Sequence, residues 1–299
     1  MSIISQGKKF LKRAMRDAHE IIFTDEYVQQ HSSKVAQILL AQQYKTMCAL
    51  RVPLPSFEEV EFRAFSQQGE DGILLYLFSV LGTTNKKCVE MCCEDGIECN
   101  TANLLINHGW QGLLFDGRGE KVKRGRAFYA RCSDTNGWPP KIVHAWITAE
   151  NCNELIREHG FAGDIDLLSL DMDGVDYWVL KALECVTPRV MVVENNPRLG
   201  PDVSVTVPYS PDFVARYEGE PHRNYYGASL LALTNLAKQK GYRLVGCQRY
   251  GFNAFFVRAG IGEDILPEIA VADCFKHPYA RQSMEVGKHK LVNKEWVEV

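Results

Sequence analysis

Two adjacent segments of this chain combine a strand, a tight turn and a helix in an order that constrains its fold more than any other feature. The first, KCVEMCCEDGIECNTANLL, covers residues 87–105, and the second, GLLFDG, covers residues 112–117. We interpret them as a strand ending near Glu90, a turn at Gly96, a short helix, and a second strand that ends at Asp116. Doubly wound α/β folds build nucleotide pockets in this order, with an acidic side chain about 20 residues after the glycine turn. The spacing from Gly96 to Asp116 agrees with that pattern.

The composition favours a soluble globular protein. The 299 residues are 46% hydrophobic, which is enough to bury a sizeable core. No run approaches the roughly 18 consecutive apolar residues of a membrane span, and the N-terminus lacks the features of a secretory signal, so we expect a cytoplasmic location. The net charge of −3 gives no general attraction to nucleic acid.

Ten cysteines are spread along the chain, and several fall in predicted strands, so we expect reduced thiols rather than a disulfide framework. The close group of Cys92, Cys93 and Cys99 has no paired CxxC motif and no nearby histidines, which disfavours zinc. We therefore assign no zinc site to the cysteines.

The chain divides into three predicted parts: an N-terminal helical extension (1–55), a body (56–262) and a C-terminal tail (263–299), which is expected to be polar and surface-bound from His277 onward. The extension begins with a basic segment and continues with an amphipathic one, whose predicted apolar face includes Val35, Ile38, Leu39 and Tyr44. We expect the extension to pack as an added helical layer or to form a homo-oligomer contact. A basic amphipathic helix can alternatively lie on an anionic membrane or guide import into an organelle.

The body alternates predicted strands and helices, which indicates a mainly parallel sheet covered on both faces. Strands are predicted at 87–92, 111–116, 141–146, 166–171, 189–194, 242–247 and 253–258. Helices are predicted at 70–81, 99–108, 150–159, 175–184 and 227–240. The last two strands are too close in sequence for a parallel crossover and must pair as an antiparallel hairpin. The predicted fold class is α/β, Rossmann-like and doubly wound, with a mainly parallel seven-stranded sheet and an antiparallel terminal hairpin.

Several motifs of the body occur in the order of one known family. They are FSQQGEDGILLYLF (65–78), VEMCCEDGIECNTANLL (89–105), GWQGLLFDG (109–117), LLSLDMDGVDYWVLKAL (167–183), VVEN (192–195), VPYSP (207–211) and YGASLLALTNLAKQKGYRLVGC (226–247). Together they resemble the FkbM-type methyltransferases, which use S-adenosylmethionine, over roughly residues 60–258. The resemblance implies a class I methyltransferase fold and O-methylation of a hydroxyl on a sugar, glycan or glycosylated small molecule.

One position departs from the resemblance. Where the family's first loop reads Glu-x-Gly, this chain has Glu90, Met91 and Cys92. Glycine has no Cβ and permits positive φ, so Cys92 predicts a tighter pocket near the methionine portion of the cofactor. The alternative is a catalytically inactive binding module on the same scaffold. A nicotinamide-dependent enzyme is disfavoured, because the loop lacks the GxGxxG pattern.

The predicted cofactor-binding residues surround the first two strands. Asp116 is expected to accept hydrogen bonds from both ribose hydroxyls, although an Asp before glycine is also a common turn residue. Asn100 and Thr101 either face the pocket or cap the following helix. Gln67 is favoured over Glu70 and Asp71, which can also serve as caps. The full predicted set is Gln67, Glu90, Cys92, Asp95, Gly96, Asn100, Thr101 and Asp116.

Acidic and amide side chains follow the fourth and fifth predicted strands, with Asp171 and Asp173 after one and Glu194 and Asn195 after the other. Neighbouring strands lie about 4.8 Å apart, so these groups are expected to converge. Mg²⁺ or another divalent cation prefers such oxygen ligands, as in the similar arrangement of catechol-type O-methyltransferases. The alternative is that Asp171 or Asp173 acts as a general base without metal, with Asp176 capping the next helix.

The segment 197–226 is rich in proline, tyrosine and charge, and it is predicted to form either a lid over the pocket or an ordinary packed loop. His222 is the histidine of this segment that we select as a candidate base. The predicted catalytic set is therefore Asp171, Asp173 and His222.

Overall fold

The computed structural model describes residues 34–215, 224–291 and 293–299. Its strands are β1 (Lys87–Met91), β2 (Gln111–Asp116), β3 (Lys141–His144), β4 (Gly163–Leu170), β5 (Val186–Glu194), β6 (Val205–Thr206), β7 (Tyr242–Cys247), β8 (Asn253–Arg258) and β9 (Val297–Glu298). Its helices are α1 (34–50), α2 (Phe57–Val60), α3 (Glu70–Leu81), α4 (Ala102–His108), α5 (Gly119–Tyr129), α6 (Cys152–Glu158), α7 (Asp176–Ala182), α8 (Leu230–Gln239) and α9 (Pro278–Lys290). The predicted strands and helices of the body are all present, with ends that differ by up to three residues.

Seven strands form one sheet in the order β3-β2-β1-β4-β5-β8-β7. Strands β1 to β5 pair in parallel, whereas β8 runs antiparallel to both β5 and β7. The predicted fold class is confirmed, since this is a doubly wound, mainly parallel sheet that closes with an antiparallel hairpin. The winding direction reverses between β1 and β4, and ligands of such sheets bind beyond the carboxyl ends of the strands at this point.

Two apolar clusters cover the two faces of the sheet. Consecutive residues of β5 alternate between them, because side chains on a strand point to opposite faces. Met191 and Val193 pack in the cluster that includes α6, α7 and α8, while Val190 and Val192 pack in the cluster with α3, α4 and α5. Burial on both faces explains why the strands read as continuous apolar runs.

Helix α1 packs with a different face from the predicted one. Val35, Ile38 and Leu39 are 67%, 46% and 65% exposed, so the predicted apolar face is wrong for these residues. Tyr44 of the predicted face is buried as expected, and Gln37, which was not predicted to face inward, is buried with it. A polar contact explains why this side of the helix faces inward. Gln37 Oε1 accepts a hydrogen bond from Asn103 Nδ2 at 2.9 Å. The homo-oligomer contact through this region stays a prediction.

The segment from His277 onward, expected to be polar and surface-bound, contains packed structure. Helix α9 lies against the short 3₁₀ helix Pro197–Leu199 and buries Ala280 completely. Strand β9 pairs antiparallel with β6. A Cβ at Gly287 of α9 would lie 2.0 Å from Arg198 O, so glycine permits this close approach. The surface-tail expectation is therefore wrong for these elements, although the boundary at residue 262 stays a prediction.

None of the helices in the described ranges combines the length and the apolar character needed to cross a bilayer.

Candidate active site

A cavity of about 740 Å³ lies at the carboxyl ends of β1, β2, β4 and β5, where the fold predicts a ligand. Seven of its lining residues are acidic and two are arginines: Glu90, Glu94, Glu98, Asp116, Asp171, Asp173, Glu194, Arg118 and Arg198. Acidic side chains thus outnumber arginines in the lining, which favours a positively charged group of a ligand beside the ionised carboxylates.

Glu90 organises the loop between β1 and α4 from a buried position. Its Oε1 accepts hydrogen bonds from Asn100 N at 2.9 Å and Ser169 Oγ at 3.2 Å. Its Oε2 accepts from Thr101 N at 3.0 Å and from the Thr101 hydroxyl. Glu90 and Asn100 line the cavity, whereas the Thr101 side chain is turned to Glu90 and does not.

Backbone strain is concentrated around the cavity. Of the six described non-glycine residues with positive φ, four line it: Cys92 (62°), Glu94 (55°), Asp173 (53°) and Asn224 (72°). Such conformations cost energy for residues with a Cβ, and they cluster at functional sites. For Cys92 the left-handed backbone explains why glycine suits this position.

The Cys92 thiol is not an activated nucleophile. Burial and the nearby carboxylates of Asp176 and Asp116 raise its pKa well above the ordinary value, so the thiol is neutral at physiological pH. Its side chain contributes bulk to the cavity wall rather than charge.

Asp116 ends β2 with its carboxylate buried beside the cavity. Oδ2 accepts from Glu94 N at 2.8 Å, and Oδ1 accepts from Arg118 N at 2.8 Å and from Arg118 Nε at 3.2 Å. Because each carboxylate oxygen has two lone pairs, Asp116 can fix its own loop and still accept from a ligand hydroxyl.

Asp95 and Gly96 lie behind the cavity rather than in its wall. Asp95 Oδ1 accepts from Ile97 N at 3.0 Å, and its Oδ2 lies 3.3 Å from Arg124 Nη1. Gly96 has a φ of 68°, and its carbonyl accepts from the Tyr129 hydroxyl at 2.5 Å. These two residues shape the loop, and no cavity contact is found for either.

The segment before α3 brings Gln67 to the cavity mouth. Asp71 Oδ2 accepts from three backbone nitrogens and one hydroxyl, those of Ala64, Phe65 and Ser66. Glu70 is fully buried and accepts from Gln68 N at 2.9 Å and Asn253 Nδ2 at 3.0 Å. Glu70 and Asp71 therefore support the loop that presents Gln67.

Asp171, Asp173 and Glu194 converge on the other side of the cavity. One carboxylate oxygen from each lies within 4.8 Å of the others. Burial and mutual repulsion raise the pKa values of Asp171 and Glu194 well above their ordinary values. Glu194 Oε2 is buried without a hydrogen-bond partner among the described residues. A cation or a shared proton would relieve this cluster.

Asn195 is placed differently from the three acids. It is fully buried, and its Nδ2 donates to Gly251 O and Phe252 O, both at 2.8 Å. It ties the end of β5 to the β7–β8 turn and does not line the cavity. Among the described His, Cys, Asp and Glu side chains, the three carboxylates form the group that could hold a cation, and the role of Asn195 as a ligand stays a prediction.

Asp176 holds the loop that carries Asp171 and Asp173. Its Oδ1 accepts from Met172 N at 2.8 Å and its Oδ2 from Gly174 N at 3.1 Å. The residue is fully buried, and burial raises its pKa to about 6. It is a positioning residue but not the helix cap predicted from the sequence, because α7 begins at Asp176 itself and its carboxylate accepts from the loop before the helix.

Aromatic residues that the sequence analysis did not select, Trp146 and Phe213, complete the wall. Trp146 Nε1 donates to Pro211 O at 2.6 Å, and a Cβ at Gly174 would lie 2.8 Å from the Phe213 ring. These contacts join the residues around 211–213 to both sides of the cavity. Trp146 follows the end of β3, and its position beyond a strand end was the available signal. His222 lies outside the described residues.

No protein-family model matches this chain, and no curated protein matches it in sequence. Its similarity to solved structures is low. The N-terminal domain of EvdMO1 with SAH bound is 15% identical over 64% of this chain and 80% of that one, with a TM-score of 0.42. The methyltransferase domain of bacterial CtHen1-C is 14% identical over 64% and 97%, with a TM-score of 0.41. An S-adenosylmethionine-dependent methyltransferase from Clostridium acetobutylicum ATCC 824 is 12% identical over 74% and 98%, with a TM-score of 0.40.

Proposed function

We propose that this chain is an S-adenosylmethionine-dependent O-methyltransferase that acts on a hydroxyl of a sugar, glycan or glycosylated small molecule. One observation carries the proposal: a cavity at the switch point of the sheet combines Glu90 and Asp116 on one side with a convergent carboxylate cluster on the other. The sugar class rests on the FkbM resemblance of the sequence motifs.

The β1–β2 side of the cavity suits the cofactor. Asp116 lies at a strand end, and its Oδ2 retains a lone pair that we assign to a ribose hydroxyl, while Glu90 keeps the intervening loop in shape through Asn100 and Thr101. S-adenosylmethionine, when bound, supplies an electrophilic methyl group on a positively charged sulfonium. The acidic lining stabilises such a positive charge.

The β4–β5 side suits the acceptor. The structure brings Asp171 to the cavity with a raised pKa, which makes its carboxylate a stronger base than an exposed aspartate. We assign to Asp171 the removal of the proton from the acceptor hydroxyl. Asp176 fixes the loop of Asp171 through Met172 N, because orientation supplies much of the rate of a displacement at carbon.

The three carboxylates also fit a hard divalent cation such as Mg²⁺. They provide oxygen ligands from two neighbouring strands, and the unpartnered Glu194 Oε2 is a buried acceptor that a cation would satisfy. Asp171, Asp173 and Glu194 would then hold the ion, which would supply Lewis-acid activation of the acceptor hydroxyl, and this role of Asp171 is the alternative to its action as a base without metal.

A catalytically inactive binding module is the second candidate, and Cys92 is the observation that favours it. Cys92 lies in the cavity wall with a φ of 62°. At this position the FkbM-type sequences have glycine, which has no Cβ. A module of this kind would bind a nucleoside without transferring the methyl group.

Calorimetry of the purified protein with S-adenosylmethionine and S-adenosylhomocysteine (SAH) tests the proposal. We expect micromolar binding of both, with methyl transfer to a panel of glycosides detected by mass spectrometry. Absence of binding to the folded protein would overturn the proposal, and binding without turnover across the panel would favour the inactive module.

A further inference from the structure

Arg198 is a cation of the cavity that is placed differently from Arg118. Arg118 is tied to the cofactor side, with Nη2 at 2.9 Å from Glu94 and Nε at 3.2 Å from Asp116. Arg198 forms no ion pair within 4.0 Å in the described part of the chain. The hydrogen bond of its guanidinium is a long one, from Nη1 to the Tyr226 hydroxyl at 3.4 Å.

Asn196 and Gly287 contact the backbone of Arg198, and the segment 224–226 in turn holds Asn196. Asn196 Oδ1 accepts from Arg198 N at 3.2 Å, and Asn196 Nδ2 donates to Asn224 O at 3.0 Å and to Tyr226 O at 3.1 Å. Gly287 of α9 packs directly on the Arg198 backbone. These contacts fix the backbone that carries the Arg198 side chain at the cavity.

The location of Arg198 relates it to the acceptor. It lies four residues after Glu194, the last residue of β5, and thus belongs to the β4–β5 side of the cavity. A guanidinium carries five donors in a planar fork that matches a carboxylate or phosphate. Within the described ranges the guanidinium of Arg198 forms one long hydrogen bond, so most of its donors remain for a ligand.

We propose that Arg198 anchors an anionic group, a carboxylate or a phosphate, on the acceptor molecule. The statement that the anion belongs to the methyl acceptor rests on the proposed function. The statement that Arg198 binds an anion does not depend on it. The acceptor would then carry its reactive hydroxyl toward Asp171 and its negative group toward Arg198.

Binding of inorganic phosphate tests the anion site. Calorimetry at low ionic strength, with a chelator present to remove divalent ions, compares the wild type with Arg198→Gln and with the matched control Arg118→Gln. We expect phosphate to bind the wild type and the control, and to bind R198Q at least 10-fold more weakly, in line with the strength of charge-assisted hydrogen bonds. Equal binding by R198Q, or no binding by the wild type, overturns the proposal.

A second comparison separates an acceptor anion from the carboxylate of the cofactor itself. SAH carries an amino-acid carboxylate, and 5′-methylthioadenosine lacks it. We expect R198Q to bind both as the wild type does. A loss of SAH affinity of 10-fold or more, with unchanged binding of 5′-methylthioadenosine, would assign Arg198 to the cofactor and overturn its acceptor role. If SAH fails to bind even the wild type, the proposed function fails, while the phosphate experiment still decides the anion site.

Discussion

The backbone nitrogen of Glu94 donates a hydrogen bond to Asp116 Oδ2 at 2.8 Å, which joins the loop after β1 to the end of β2. The carboxylate that we assign to the ribose therefore also fixes the wall of the cavity beside it. Ligand binding and loop geometry depend on the same side chain.

Replacing Asp116 by Asn should weaken SAH binding by roughly 10-fold to 100-fold, because hydrogen bonds to a charged acceptor contribute about 1.5–3 kcal/mol each. Calorimetry measures the change. Asp95→Asn is the matched control, since Asp95 lies behind the cavity and should leave SAH affinity within about 3-fold of the wild type. Equal losses in both variants would contradict the assignment of Asp116.

Cys92→Gly should raise both stability and SAH affinity. A left-handed backbone costs a residue with a Cβ about 1–2 kcal/mol, and the added entropy of glycine in the unfolded chain offsets part of this gain. Denaturant unfolding should show a gain of up to about 1 kcal/mol. Arg51→Gly, at a φ of 54° and away from the cavity, should show a similar gain without the change in affinity.

Cys92→Ala separates the two effects, because it removes the thiol and keeps the Cβ. If C92A and C92G bind SAH equally tightly, the sulfur itself limits the cofactor. If neither variant binds better than the wild type, Cys92 does not restrict the pocket.

Removal of divalent ions should lower methyl transfer at least 10-fold, and added Mg²⁺ should restore it, because three carboxylates would otherwise face one another in a buried cluster. Glu194→Gln should weaken Mg²⁺ binding in calorimetry. Glu98→Gln, an acid of the same cavity paired with Arg63, is the control and should bind Mg²⁺ normally. Full turnover in excess chelator would exclude the ion and leave Asp171 as a base without metal.

Asp71 should make stability depend on pH. Burial raises its pKa to about 6, although the donors to Oδ2 oppose the shift. Because the folded pKa exceeds the unfolded value, its contribution is fully present below about pH 4 and is lost as pH rises through about 6, by about 3 kcal/mol for a shift of about two units. Asp71→Asn, which cannot ionise, should flatten the dependence of unfolding free energy between pH 4 and 7. An unchanged slope would show that Asp71 titrates normally.

Gly287→Ala should destabilise the fold by about 1–3 kcal/mol, the range for inserting a group into a packed site. Its new Cβ would meet the Arg198 carbonyl, and the backbone of α9 or of Pro197–Leu199 must move. Gly137→Ala is the control, since its Cβ would have no neighbour within 4 Å. Equal unfolding free energies in the two variants would show that the contact of α9 is loose.

The sheet was predictable because its strands are apolar runs bounded by turn residues and buried on both faces. The packing of α1 and α9 was not, because it depends on few and partly polar contacts. Gln37 of α1 is buried through a hydrogen bond to Asn103, and α9 approaches the body through a glycine. The pattern of apolar residues along the sequence indicates neither the buried hydrogen bond of Gln37 nor the glycine contact of α9.

Much of the candidate site was predictable from the sequence, because its residues lie at or near the ends of predicted strands. Glu90, Asp116, Asp171 and Glu194 line the cavity because each ends or follows a parallel strand. Reasoning from a single segment does not show which way a side chain turns. Thr101 faces Glu90 and Asn195 faces the β7–β8 turn, since each satisfies a buried polar partner. Arg198 depends on contacts with distant segments, which no local pattern contains, whereas the position of Trp146 just beyond the end of β3 was a local signal for it.

The two walls of the cavity come from separate stretches of the chain. Gln67 to Arg118 build one, and most of the other lies beyond Asp171, braced by α9 through Gly287. On the proposed function, mutations that change the methyl acceptor can therefore accumulate in the second stretch while the half assigned to the cofactor is left intact. A scaffold divided in this way lends itself to directed evolution of new acceptors.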